Sequence, residues 1–459
     1  MASPIAASLK PSSIDSFLRD ALHDRVVGTL FGSALGDTIG LYTEFLSAAS
    51  SAAAYPSGTF TLCPPAFRTP FILDTHRAPK PPGHWTDDTD HALLLLLAYL
   101  HTASTSSDNP PPLPTQLSLA ARLRIWVSQG FRPLDTMPLG LGRLVSSVVS
   151  SKGFDVDPAS VARGYWVRTG KRIAPNGSLM RTHPLGLMCL WREEEDAFQL
   201  AADMSRVTHA DPRCVVACVI GTALVRGLVR GDVRTEEEVD DVVARAVGWV
   251  VGHGRVGADT DPELDIAELK RHVKPASLDD LQLDDPPTIG YVYKCLGSGV
   301  MLLRLAMRKT AARQGGLLDQ VKIFEELVTD LIMRGGDADT NACFAGALLG
   351  AYLGYRALPD HWKHGFIHGD WLMGKAESLC QVLGVKEGQY DGPADKDTHL
   401  DGGRGVISQD EMEGRWMVLQ QNAFKIIGDA AKANAKPSKG GSWTLNLPWQ
   451  GKDKGKAKR

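Results

Sequence analysis

The sequence predicts an all-α protein. Ten segments carry apolar residues at i, i+3 and i+4 spacing: 25–40, 87–101, 117–130, 139–150, 176–191, 213–230, 235–251, 290–310, 318–333 and 340–356. Strand-like alternation bounded by turns is almost absent. The 459 residues are 43% hydrophobic and 22% charged, an ordinary soluble globular composition that excludes wholesale disorder, collagen and a small disulfide scaffold. A single core usually stops growing at about 250–300 residues, so two domains, or one large domain with insertions and a tail, are expected.

The first predicted helix, 25–40, aligns Gly28, Gly32, Gly36 and Gly40 on one stripe, and 340–356 repeats the pattern with Gly346, Gly350 and Gly354. Glycine inside a helix costs about 1 kcal/mol against alanine. Such a stripe therefore implies a close approach of backbones, helix on helix or helix on ligand. The second helix, 87–101, continues through the longest apolar run, Ala92–Leu100, whose nine residues fall well short of the roughly 18 of a membrane span and read as a buried helix. Among the later helices, 176–191 opens with Asn176-Gly177, and 213–230 and 235–251 are apolar on one face. The Pro/Ser-rich connectors 50–83 and 104–115 and the acidic stretch 257–288 read as surface insertions. After a Gly/Asp-rich loop at 391–407, residues 409–434 form a last helix. No repeat with a period of 20–50 residues is evident, which argues against a solenoid.

Net charge is −3, but residues 431–459 hold eight basic side chains against one acidic, net +7, which leaves −10 on the first 430. An acidic body is a poor nucleic-acid surface, because phosphate binding needs clustered cations. The basic tail 435–459 reads as a disordered, solvated end, with nuclear import or polyanion contact as the alternative. Seven cysteines, odd in number and mostly within apolar stretches, suit buried thiols in a reducing compartment. The N-terminus lacks the basic and apolar regions of a signal peptide. A cytoplasmic or nuclear protein without membrane contact is expected.

Chemistry concentrates in two acidic helix starts. Thr86-Asp87-Asp88-Thr89-Asp90 opens one helix, and Gly335-Gly336-Asp337-Ala338-Asp339-Thr340-Asn341 opens another about 250 residues later. Thr and Asp are favoured at helix N-termini, where they cap free N–H groups and offset the macrodipole. Hard divalent cations, in turn, need several carboxylate and hydroxyl oxygens converging from separate segments. Spacing alone leaves both readings open. Asn176-Gly177-Ser178-Leu179-Met180-Arg181 begins a helix whose free N–H groups suit a pyrophosphate, and it serves equally as a turn plus N-cap. Three apparent motifs fail. Asp259-x-Asp261-x-Glu263-x-Asp265 has Leu264 and Lys270 where an EF-hand needs Gly and Glu. His209, Cys214 and Cys218 lack a fourth soft ligand for zinc, and the glycine stripe lacks the Lys-Ser/Thr of a P-loop.

In order and spacing, GTLFGSALGDTIGLYTEF (28–45), WTDDTDHALLLLL (85–97), NGSLMRTHPLG (176–186), VTHADPR (207–213) and GGDADTNACFAGALLGAYLG (335–354) resemble the ADP-ribosylglycohydrolase family. That family includes the dinitrogenase-reductase-activating glycohydrolase. The likeness spans roughly 25–375, with 1–24 as an N-terminal extension, 376–434 as a C-terminal extension carrying the last helix, and 435–459 as the tail. It implies an all-α domain of orthogonally packed helices around a centre of two Mg²⁺ ions, with Mn²⁺ as the alternative. Carried over by position, Thr86, Asp87 and Asp88 form one ligand group and Asp337, Asp339 and Thr340 the other. Glu44, seven residues after Asp37, matches a mobile catalytic glutamate of the branch that acts on poly-ADP-ribose and ADP-ribosylserine. Asp37 is expected to orient the centre from behind its ligands.

By the same resemblance Asn176, Gly177, Ser178, Met180 and Arg181 line the ADP-ribose cleft. His209 approaches the diphosphate, and Gly140 and Gly142 form the phosphate-side loop. The aromatic residue that often precedes the family's Asn-Gly is replaced here by Ile173-Ala174-Pro175. The implied activity is metal-dependent hydrolysis of the C1″ glycosidic bond of ADP-ribose, attached to a protein side chain or to a small ADP-ribosyl conjugate, by a monomeric enzyme. An ADP-ribose-binding or structural protein that kept the fold and lost turnover is the alternative. A generic two-metal phosphoesterase fits the acids but not the NGSLMR segment.

Overall fold

The computed structural model describes residues 16–434 except 107, 109, 254–261 and 313–316. The basic tail and the Asp259–Asp261 part of the EF-hand-like stretch lie outside them. In chain order the helices are α1 (Ser16–Gly40), α2 (Ala48–Ala54), α3 (Asp87–Thr105), α4 (Gln116–Gln129), α5 (Arg143–Val149), α6 (Pro158–Arg168), α7 (His183–Met188), α8 (Glu194–Arg206) and α9 (Pro212–Arg230). They continue as α10 (Glu236–His253), α11 (Ile266–Val273), α12 (Val292–Ala312), α13 (Leu317–Ile332), α14 (Ala338–Leu353), α15 (Asp360–Lys363), α16 (Gly369–Val382) and α17 (Gln409–Asn434). The protein is all-α: among the described residues strand pairing is limited to the isolated bridges Ser47–Gly335, Phe131–Thr136 and Pro175–Tyr291.

The two glycine stripes meet each other. A Cβ on Gly32 would lie 2.3 Å from Gly346 O, one on Gly36 2.0 Å from Ala342 O, and one on Gly350 1.9 Å from Gly28 O. Rising numbers on α1 face falling numbers on α14, so the helices run antiparallel with their backbones in contact. The other faces of α14 pack on α12 and α13, and α9 packs on α7, α8 and α10. By length and apolarity α9 qualifies as a membrane span, which corrects the view that no stretch approaches one; 83% of that window is buried inside the protein. All seven cysteines are free and six are buried.

Three expectations change. The first helix starts at Ser16, ahead of residue 25, because Leu22 continues the buried i, i+4 row of Val26 and Leu30. The 176–191 segment is helical only over α7. Asn176 N donates to Gly290 O at 3.0 Å, and Leu179 N and Met180 N close turns on the Asn176 carbonyl. The turn is thus fixed by a distant strand-like bridge, with Pro184 inside the first turn of α7. Finally, α11 lies within the acidic stretch read as a connector, burying Leu269 and Val273.

Candidate metal centre

Antiparallel packing sets the C-terminal end of α1 beside the N-terminal end of α14. At Gly40 a Cβ would lie 2.3 Å from Asp339 Cα. The chain leaving α1 then pairs with the chain entering α14: Phe45 N donates to Gly336 O at 2.6 Å and Gly336 N to Leu46 O at 2.9 Å. Gly335 and Gly336 have φ of 68° and 74°, and a Cβ on either would meet a carbonyl oxygen at 2.1 Å. Only glycine fits this clamp, which explains the paired glycines before the second acidic motif. The clamp brings Glu44 against Asp337 and Asp339.

The start of α3 is fastened to the same place by Asp37, which is fully buried on α1. Both of its oxygens accept from Thr86 N at 3.0 Å, and Oδ2 also accepts from Thr89 N at 3.0 Å and Thr89 Oγ1 at 2.6 Å. Asp88 joins the two helix starts: Oδ1 accepts from Thr340 Oγ1 at 2.9 Å and Oδ2 from Thr86 Oγ1 at 3.1 Å. Thr86 does cap α3, but Asp337, at the same position of α14, makes no side-chain cap bond. Capping therefore accounts for the threonine and leaves the aspartates over.

Two carboxylate trios result, Asp37–Asp88–Asp339 and Glu44–Asp337–Asp339, each with its oxygens within 4.8 Å of one another. Asp339 belongs to both. Asp37, expected behind the ligands, stands in the first trio while also fastening α3. Asp87, expected as a ligand, stands outside both: it turns toward Gly140, where a Cβ would lie 2.0 Å from its Oδ1. Asp90 is structural, since its carboxylate accepts from Trp85 Nε1 at 2.7 Å and Trp126 Nε1 at 2.9 Å, and burial pushes its pKa up to about 7.

Burial first, and then the neighbouring carboxylates, hold Asp88 and Asp339 well above the usual carboxylate range. Burial also works to raise Glu44. A 2.5 Å bond from His76 Nε2 and the Lys80 charge outweigh it and bring Glu44 below its ordinary value. Five carboxylates gathered in two overlapping trios, flanked by the Thr86 and Thr340 hydroxyls and all buried but the half-buried Asp337, have far more negative charge than one lysine balances. Such an all-oxygen, acidic donor set fits hard divalent cations of the Mg²⁺ or Mn²⁺ kind.

Asn176 reaches this centre, donating Nδ2 to Asp337 Oδ2 at 2.8 Å. Gly177 faces His209, whose Cε1 and Nε2 would lie 3.2 Å from a Cβ there, and His209 Nδ1 bonds Thr208 Oγ1 at 2.7 Å. Met180 is buried, and its carbonyl accepts from Cys343 Sγ. Ser178 and Arg181 are fully buried behind the turn. Ser178 Oγ accepts from Ser205 and Cys218, while Arg181 Nη2 donates to Met204 O and Thr208 Oγ1, so neither is presented to a cleft as expected. Gly140, at φ 95°, holds the turn beside Asp87, and Gly142 is the N-cap of α5 with open space around it. Sequence reasoning missed His76, Arg77 and Lys80, which sit in a turn with no periodicity.

The ADP-ribosylglycohydrolase family profile matches residues 18–389. A protein of Archaeoglobus fulgidus, itself described as uncharacterized, is 23% identical over 363 residues, covering 79% of this chain and 97% of its own. Among solved structures, one titled an ADP-ribosylglycohydrolase-related protein complex aligns over 79% of this chain and 99% of its own, at 21% identity and a TM-score of 0.47. The family match takes in both glycine stripes, both acidic helix starts and the Asn176 turn, and by it this chain belongs to the ADP-ribosylglycohydrolase family.

Proposed function

We propose that the protein is a divalent-metal-dependent hydrolase that cleaves the C1″ glycosidic bond of ADP-ribose attached to a protein side chain or to a small ADP-ribosyl conjugate. Mg²⁺ is the proposed ion, with Mn²⁺ as the alternative. The observation that carries this reading is the pair of carboxylate trios sharing Asp339, assembled from helix starts about 250 residues apart. Asp37, Thr86, Asp88 and Asp339 would hold one ion, and Asp337, Asp339 and Thr340 the other. When bound, such ions supply Lewis acidity and a template for the ribose hydroxyls.

The chain's own residues supply the remaining steps. Carboxylates around C1″ stabilise the positive charge that develops as the bond to the acceptor breaks. Glu44 takes the proton of the water that adds to C1″ and passes a proton to the departing acceptor atom. His76 Nε2, hydrogen-bonded to Glu44 Oε2, orients that carboxylate. Asn176 holds Asp337 in place, and His209, kept neutral by burial, offers Nε2 on the diphosphate side.

The test is release of free ADP-ribose from defined serine- and arginine-linked ADP-ribosylated peptides, in Mg²⁺ and in EDTA. Metal-dependent release from at least one linkage is expected. Tight binding of ADP-ribose with no linkage cleaved would identify the protein as a binder instead.

A further inference from the structure

His209 is buried, and the groups around it settle which of its nitrogens carries the proton. Ser205 secures its backbone: His209 N donates to Ser205 O at 2.8 Å, and Ser205 Oγ donates to His209 O at 3.2 Å. Behind the ring stands the fully buried Arg181, whose Nη2 donates to Met204 O at 3.0 Å and to Thr208 Oγ1 at 2.7 Å. Its Nε and Nη1 are buried without a partner, so the bond to Thr208 is one of only two that this guanidinium makes among the described residues. Thr208 is buried between the two side chains, and its Oγ1 is also 2.7 Å from His209 Nδ1. A hydroxyl has two lone pairs and one hydrogen to give. Toward Arg181 the oxygen can only accept, because a guanidinium offers no lone pair. Thr208 Oγ1 has no third partner among the described residues, so its hydrogen is left for Nδ1. A proton on Nδ1 would instead strand the hydroxyl hydrogen in the interior with no acceptor, which is costly.

We propose that Thr208, itself held by Arg181, is a positioning residue that fixes His209 as the tautomer protonated at Nε2, a neutral donor turned toward the diphosphate of ADP-ribose. The identity of that ligand rests on the glycohydrolase reading; the tautomer follows from the hydrogen bonds. Burial first, and then the Arg181 and His91 charges, hold His209 well below the ordinary histidine range, so the ring carries a single proton. With Nδ1 accepting from Thr208, that proton sits on Nε2. Nε2 has no partner among the described residues and, unlike both ring nitrogens of the buried His91, it is not sealed from solvent. The edge it presents faces Gly177, where a Cβ would stand 3.2 Å from both Nε2 and Cε1. A side chain at 177 would crowd the donor, and glycine leaves it within reach. Phosphate oxygens accept from an N–H and are repelled by a lone pair, so the opposite tautomer would turn the wrong face to the ligand. Arg181 thus acts on the diphosphate side through Thr208 and the His209 ring, from a place where its own charge is buried behind the turn.

The experiment reads the tautomer directly, by proton–nitrogen NMR correlation on ligand-free protein carrying nitrogen-labelled histidine, with His209→Gln to assign the signal. The wild type is expected to show Nε2 protonated and Nδ1 bare. Thr208→Ser keeps the hydroxyl and should keep that pattern, whereas Thr208→Val keeps the shape and should let the Nδ1–H form appear. Calorimetry with ADP-ribose should show affinity weakened by about tenfold or more in Thr208→Val and retained in Thr208→Ser. In a His209→Ala background Thr208→Val should cost little more, because its effect runs through the ring. Thermal melts establish that each variant is folded. A wild-type proton on Nδ1, an unchanged tautomer in Thr208→Val, or an equal loss of affinity with and without the His209 ring overturns the inference and leaves the glycohydrolase reading standing. The expected tautomer and ADP-ribose binding, with no linkage cleaved, uphold the inference and overturn that reading alone. A wild type that binds no ADP-ribose overturns both.

Discussion

Asp339 is the one carboxylate placed to serve both trios, and this separates it from every other acid in the two motifs. Asp339→Asn should therefore remove most divalent-ion binding, read by calorimetry with the ion alone. Asp87→Asn should cost clearly less, because its side chain points at the Gly140 turn. Equal losses for the two would mean that Asp87 swings into the centre when ions bind. Glu44 differs in kind. It is held by His76 and kept ionised, so Glu44→Gln preserves shape while removing charge and proton transfer. Turnover should fall by about 10²–10⁴-fold, with ADP-ribose affinity little changed, since the proposed reading puts the diphosphate on the His209 side. Wild-type turnover by Glu44→Gln would leave Glu44 a bystander and move the search for the base to Asp37, Asp87 and Asp88.

Helices α1 and α14 act as one unit, and their register places the chemistry. The every-fourth glycine pattern was legible in the sequence because it is local and periodic, and its cause, backbone contact between two helices, follows from the cost of helical glycine. The convergence of Asp88 and Asp339 was not legible from spacing; family likeness supplied it, and the antiparallel register explains it. The turn carrying His76, Arg77 and Lys80 was illegible because its meaning lies wholly in contacts with the Glu44 loop. The Asn176 segment was misread as a helix start because its partner, Gly290, is over 100 residues away. Two glycine substitutions test the register with opposite expected signs. Gly36→Ala would put a Cβ 2.0 Å from Ala342 O, backbone against backbone, and should destabilise by about 1–3 kcal/mol or more in denaturant unfolding. Gly248→Ala, on an exposed face of α10 with nothing within 4 Å, should stabilise by up to about 1 kcal/mol. Equal effects would mean that the stripe is not a packing device.

At the scale of the whole molecule, the acidic centre sets how stability depends on pH and on ions. Asp37, Asp88, Asp337 and Asp339 have native pKa values raised by burial above their unfolded ones. A raised acid contributes stability that is fully present below its unfolded pKa, near about 4, and is lost as pH rises through the native value. His91, His183 and His209 are lowered by burial, His183 to about 3. Their contribution is present above about 6.5 and is lost as pH falls through their native values. The metal-free protein is therefore squeezed from both sides, most stable in mildly acidic solution and weaker as the carboxylates ionise. Divalent ions act on one side only. On the proposed reading they bind the ionised carboxylates of the native state, stabilise it by mass action and compete with protons at lower pH. The Tm difference between Mg²⁺ and EDTA should accordingly be small near pH 5 and grow toward pH 8, mostly because the EDTA value falls. Asp339→Asn should flatten that dependence. Scanning calorimetry at matched ionic strength measures it, and a Tm difference that is the same at both pH values would show that ion binding and protonation do not share these carboxylates.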